Sequence, residues 1–447
     1  MQGFAKRKPR ICFLLVCLLL LAACTAETDG GQEAQTAETA VETVIQEVPE
    51  EQVIPQTVRF RFSLPQEDAD LLTEMTAVFN RENTKGVTVE IVPPDEEESG
   101  TGEDEGGADA PDEADAGEGM QETEPPADAD LLLIDAKELP LYTGRAVSLQ
   151  SLIAETEDHY RQLNPALLKI CSPNGSLRAI PLMTDAVVAF SHTALLEEAG
   201  ITSFSEDWDA VLEDGRHLLE EKNMPLIGVS DAALLLETLL AQNECAYLAD
   251  EGILFQNEAG KSALELYLTL FREGIVVSYE EEALIKAFQD KKVAAMLVHT
   301  KAAEKPEFAE NAVQVSEIPM WHTRAVPADP KALVLLTKEE AVQYAAMEFV
   351  AYLTEPEQNA MLAIGTARLP ARDDVYELPS YRTWSEDTPY IRAASMEADA
   401  LFFAARNERQ QEMHLRLTEA LYAETDKETD ADEVLAKLGK SVHGGEE

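Results

Sequence analysis

Two chain periods alternate at the start of the ordered sequence, and this narrows the fold more than any other feature. Val58, Phe60 and Phe62 are apolar with Arg59 and Arg61 between them, the two-residue period of a strand. Leu71, Leu72, Met75, Val78 and Phe79 then recur at helical spacing, and the stripe runs out between Asn80 and Asn83. Lys85 and Gly86 turn the chain into Val87, Val89 and Ile91, a second strand. Strand, helix and strand in succession predict a parallel pair. Residues 131–135, Leu-Leu-Leu-Ile-Asp, form the continuous apolar run expected of a strand buried on both faces.

The alternation continues. Asn174 and Gly175 signal a turn into 179–182, and 187–190 reads as a further strand before a short helix over 194–199 that Gly200 stops. Ser205 is the expected N-cap of the next helix, with Glu206 and Asp207 in its first turn. Trp208, Val211, Leu212, Leu218 and Leu219 share one face of it, so Trp208 is expected in the core. Helices follow over 263–271 and 342–353, with a strand at 293–298 between them. Thr354, Pro356 and Glu357 carry a capping-box pattern for another helix. Elements that alternate in this way, without internal repeats, define the α/β class.

The N-terminus sets the compartment. Lys6, Arg7, Lys8 and Arg10 precede an apolar run over 11–21, too short to span a bilayer, that ends in Leu21-Ala22-Ala23-Cys24. This reads as a secretory signal over 1–23. The ending resembles a bacterial lipobox, which implies acylation of Cys24 and a lipid-anchored protein on the extracytoplasmic face of the cell membrane. An ordinary signal peptide or an N-terminal membrane anchor is the alternative. Residues 24–56 hold eight acids and no Lys or Arg, as expected of a disordered stalk behind the lipidated cysteine.

The net charge of −50 excludes a nucleic-acid partner on electrostatic grounds. Residues 95–128 contain fifteen acids and no base, and too few apolar groups to offset the entropy of ordering, so they read as a disordered acidic insertion. A calcium loop is the functional alternative, although the spacing does not match an EF-hand. Beyond the signal and Cys24 only Cys171 and Cys245 remain, as buried thiols or a single bridge. His299 and His322 follow strands and read as structural; no metal and no cofactor is expected. No serine elbow, zinc-protease, Walker or dinucleotide motif is present, which argues against an enzyme, although carboxylate spacing in so acidic a chain leaves a glycosidase open.

Several segments then match one family in order. Ile180-Pro181-Leu182-Met183-Thr184-Asp185-Ala186-Val187-Val188-Ala189-Phe190, the helix ending at Gly200, and Trp208-Asp209-Ala210-Val211-Leu212 resemble the family 1 extracellular solute-binding proteins, the maltose-binding-protein-like receptors of ABC importers. Residues 255–276, 288–296, 349–370 and 432–440 continue the likeness, which covers roughly 57–94 and 129–440. The resemblance implies a type II periplasmic-binding-protein-like clamshell, with two α/β lobes, strands crossing between them and solute in the cleft. One lobe would comprise 57–184 plus 299–334, the other 185–298 plus 335–440. It further implies a monomer that captures a small solute, a sugar or oligosaccharide, and passes it to permease subunits. The alternative is a degenerate receptor serving as a sensor or interaction module without transport.

Ser63-Leu64-Pro65 stands where relatives carry an aromatic, and Ser191-His192-Thr193 and His299-Thr300-Lys301 depart from the family's motifs. Six residues are candidates for solute contact. Asp135 ends a buried strand, where ligands of open α/β sheets bind; an N-cap is its bland role. Thr184 and Asp185 lie at the implied hinge, with a hinge hydrogen bond to backbone as the alternative. Trp321, Tyr381 and Trp384 could stack on a solute or pack in the core.

Overall fold

The computed structural model describes residues 55–93, 128–154, 157–304, 313–403, 406–425 and 427–442. The signal, Cys24, almost all of the stalk and all but the last residue of the acidic insertion lie outside the described residues. The strands are β1 (Gln56–Phe62), β2 (Val87–Val92), β3 (Leu131–Asp135), β4 (Ala179–His192), β5 (Ile227–Val229), β6 (Leu248–Ala249) and β7 (Gly252–Ile253). They continue as β8 (Val276–Ser278), β9 (Ala295–His299), β10 (Val313–Ser316), β11 (Val326–Leu335), β12 (Leu369–Pro370) and β13 (Leu401–Phe402).

One sheet runs through the molecule in the order β2-β1-β3-β11-β4-β9-β5-β8, with β10 and β12 also on β4 and β13 on β11. β1 and β2 pair in parallel, as the opening periodicity predicts, and β1 pairs in parallel with β3. β4 is the spine. Its fourteen residues are buried throughout; Ala179–Ala186 pairs with β11 and Val187–Ser191 with β9, both antiparallel. Pro181 has no N–H to give a ladder, and the register of β4 on β11 shifts beside it, between Lys331 and Ala332.

The first half of the sheet is closed by aromatic packing. Phe349, on the Glu340–Leu353 helix, meets Phe60 edge-on at 5.4 Å and Phe79 at 5.0 Å. That helix packs on β1, β2 and the Gln66–Glu82 helix, and the next one, Pro356–Gly365, packs on the Gln66–Glu82 helix, β4 and β12. In the second half Trp208 is fully buried, its Nε1 donating to Oε1 of Gln242 at 2.8 Å. Gln242 in turn donates to the carbonyls of Pro319 and Ala325, tying the Ala232–Gln242 helix to the start of β11.

Two caps differ from expectation. Asp207, not Ser205, caps the Trp208–Lys222 helix, accepting from the Ala210 N–H at 2.8 Å; Ser205 Oγ donates instead to Asp214. The Pro356–Gly365 helix has no side-chain cap, because Thr354 Oγ1 donates back to the Val350 carbonyl. Asp207→Ala should therefore destabilise the protein by about 1 kcal/mol in a thermal melt. A Ser205→Ala variant losing more than Asp207→Ala would contradict this assignment.

Cys171 and Cys245 are free thiols; Cys171 is fully buried, which pushes its thiol up to about 12, and Cys245 is half-buried. No helix among the described residues is long and apolar enough to cross a membrane.

Candidate functional site

Strand direction places the cleft. β3 ends at Asp135 opposite Lys331 on β11, and β9, running the other way along β4, ends at His299 opposite Val187. β5 is parallel to β9 and ends beside it. The carboxyl ends of the parallel strands of both halves therefore converge where β4 and β11 cross, the position at which open α/β sheets hold ligands.

Two charged clusters occupy this crossing. In the first, Lys331 Nζ pairs with Asp135, and Lys137 lies 3.7 Å from the same carboxylate. Asp329, two residues from Lys331, joins them. Burial, with the Asp135 charge second, holds its carboxyl above the ordinary range against the opposing pull of Lys331, Lys137 and His299. In the second cluster Arg368 is buried between two acids. Its Nε donates to Asp185 at 3.2 Å and its Nη1 to Asp68 at 2.6 Å. Asp185 also accepts from Thr300 Oγ1 at 3.0 Å and from the Lys301 N–H at 2.9 Å, while Lys301 Nζ lies 3.5 Å from Asp68.

The six sequence candidates fall in different settings. Asp135 is part of the first cluster and half-buried. Asp185 is buried with its oxygens already engaged by Thr300, Lys301 and Arg368, and Thr184 Oγ1 donates to the Asp185 carbonyl. The aromatics sit in separate ring clusters. Trp321, half-buried, stacks on His322 at 4.6 Å; Tyr381 is buried between Tyr376 and Trp384, with its hydroxyl 3.2 Å from Ser395. Asp68, Asp329, Lys331 and Arg368 were not singled out from the sequence. The one available signal was Asp329 and Lys331 at two-residue spacing, a charged pair on one face of an otherwise apolar strand.

The fold holds two cavities among others, and neither is lined by the charged side chains of the two clusters. A small one, about 40 Å³, lies between β9, the start of β11 and the Ala232–Gln242 helix, lined by Val187, Ser230, Leu235, Thr238, His299 and Pro327 among others. A larger one, about 830 Å³, has Pro140, Lys169 and Asn174 of the first half on one wall and Ala241, Asp250 and Gln410 of the second on another. That volume is in the range of small-molecule sites. Among the described residues no group of three or more His, Cys, Asp or Glu side chains is placed to hold a metal ion.

An α/β sheet shared by two halves, with the carboxyl ends of its parallel strands meeting at one crossing, is the layout of a cleft-bearing binding protein. The chain belongs to the bacterial extracellular solute-binding protein family, whose sequence profile matches residues 74–389, over two thirds of its length. No curated protein sequence matches it. Its fold is similar to that of the sugar-binding protein MalE from Xanthomonas citri (14% identity, TM-score 0.69, covering 87% of this chain and 96% of that one). It is similar too to the cyclic alpha-maltosyl-1,6-maltose binding protein from Arthrobacter globiformis (16%, 0.68, 87% and 98%). UgpB from Mycobacterium tuberculosis, solved with glycerophosphocholine, shares it as well (17%, 0.64, 87% and 98%). The mixed α/β architecture is thus that of the two-lobed, MalE-like binding proteins.

Proposed function

We propose that this protein is the capture component of an ABC importer, tethered through an acylated Cys24 at the outer face of the cell membrane, and that its solute is a sugar or oligosaccharide. The observation that carries this reading is the convergence of strand ends from both halves at one crossing of the sheet, together with a separate cavity of about 830 Å³ lined by residues of both halves. Similar folds occur in a protein named for cyclic alpha-maltosyl-1,6-maltose and in one named as sugar-binding, and the glycerophosphocholine of another neighbour is also rich in polar oxygen. The chain acts as a monomer that hands solute to permease subunits. A hinged pair of lobes signals occupancy only if solute binds the closed arrangement better than the open one.

The test is thermal and chemical unfolding with sugars, peptides and polyamines. A solute held at 100 times its Kd should add about 2.7 kcal/mol to the unfolding free energy. A flat response to all three classes would favour an interaction module without transport.

A further inference from the structure

We propose that Asp329 and His299 form the polar subsite that reads hydroxyl groups of a neutral solute, an inference that rests on the receptor reading above. Asp329 lies opposite Asp185 in the β11–β4 ladder, and His299 lies opposite Val187 in the β4–β9 ladder. Residues directly opposed in antiparallel strands project to one face, and Asp185 and Val187, two apart on β4, share a face. Asp329 and His299 therefore stand on the same face of the sheet at its crossing.

Each carries an atom that the fold leaves unsatisfied. Asp329 Oδ1 and His299 Nδ1 are buried and have no hydrogen-bond partner among the described residues. Buried polar atoms in native proteins are nearly always paired, because an unpaired one costs stability, so two at one site point to a partner from outside the chain. Burial, and then the Asp135 charge, raise the Asp329 carboxyl, as expected of an acid enclosed in the fold.

The surroundings select the class of partner. The acids Asp135 and Asp329 are balanced by Lys137 and Lys331, so the cluster offers no net charge to an ionic solute. A hydroxyl both donates and accepts, and so suits a carboxylate oxygen and an imidazole nitrogen in either tautomer. The small cavity that His299 and Pro327 line, about 40 Å³, has room for a few waters or one hydroxyl-bearing substituent, with Val187, Val229 and Leu235 as apolar wall. The rest of the solute would extend beyond it.

The experiment uses the full chain, its Asp329→Leu and Asp329→Asn variants, and three probe sets: neutral sugars and polyols from inositol to maltotetraose, spermidine, and glycerol 3-phosphate. Thermal shift and calorimetry should show a neutral probe binding the wild type. Asp329→Leu should weaken it by roughly 10- to 100-fold, and Asp329→Asn, which keeps an acceptor oxygen, by less than about 10-fold. Without ligand, Asp329→Leu should melt no lower than wild type. If that variant does not fold, or melts well below wild type, Asp329 is structural and the inference fails. Equal sugar affinity in wild type and both variants overturns the inference and leaves the receptor reading standing. So does a response to spermidine or glycerol 3-phosphate alone. Silence towards every probe counts against the receptor reading itself.

Discussion

Arg368→Met should lower the unfolding free energy by about 3–5 kcal/mol, as much as the loss of a large core side chain. The arginine is 3% exposed and lies between Asp68 and Asp185, themselves buried. Methionine roughly fills the space but returns nothing to the two carboxylates. Asp185 would keep Thr300 and the Lys301 N–H, whereas Asp68 would keep only the 3.5 Å approach of Lys301. The penalty is therefore that of buried charge left uncompensated, not the net worth of the original bridges. Denaturant unfolding of the variant should show a lower midpoint at an unchanged slope, because the surface exposed on unfolding is the same. Adding Asp68→Asn to Arg368→Met should recover part of the loss, since one stranded charge is then removed. A loss below about 1 kcal/mol would mean that water reaches the cluster and that it is no tighter than a surface pair.

The same cluster marks where sequence reasoning stopped. Asp185 was legible as a hinge carboxylate only through the family resemblance, which implies that the strand carrying it crosses between lobes. Which partner it takes is decided by Arg368 and Thr300, 183 and 115 residues away in the chain, and no local period encodes that pairing. Periodicity did mark the opening strands, their parallel pairing and the burial of β3 and Trp208. A helical stripe shows that the Glu340–Leu353 helix is buried on one side but not which sheet buries it; Phe60 and Phe79 settle that through space. β11 escaped notice because Pro327 and Pro330 argue against a central strand, and Asp329 and Lys331 break its apolar run. The polar residues that hide the strand are those now assigned to the cleft. Local rules failing at a functional position is the expected pattern.

Acidity produces the second large effect. Glu237 on the Ala232–Gln242 helix is 4% exposed and pairs with Arg406, whose guanidinium lies 5.5 Å from the Tyr247 ring centre. Burial raises its carboxyl from 4.5 to about 7, and Arg406 offsets only part of that. Between those values the folded chain holds a proton that the unfolded chain has released. Stability from this group is then fully present below about 4.5 and is lost as pH rises through about 7. Glu397 is buried against Arg324 and, raised to about 7 in the same way, acts in the same direction. His414, 3.6 Å from Glu237, is lowered to about 4 by burial and then by Arg406, so it works in the opposite sense from about 4 to 6.5. The whole-protein profile blends these signs, and a variant separates them. Glu237→Gln takes no proton, so its unfolding free energy relative to wild type should move in its favour by on the order of 3 kcal/mol between pH 4.5 and 8, at about 1.4 kcal/mol per pH unit. Urea unfolding of both proteins at several pH values reads this difference directly, whatever constant offset the lost ion pair adds. A difference that stays flat would mean that Glu237 remains ionised beside Arg406 throughout, and that the guanidinium outweighs burial at this site.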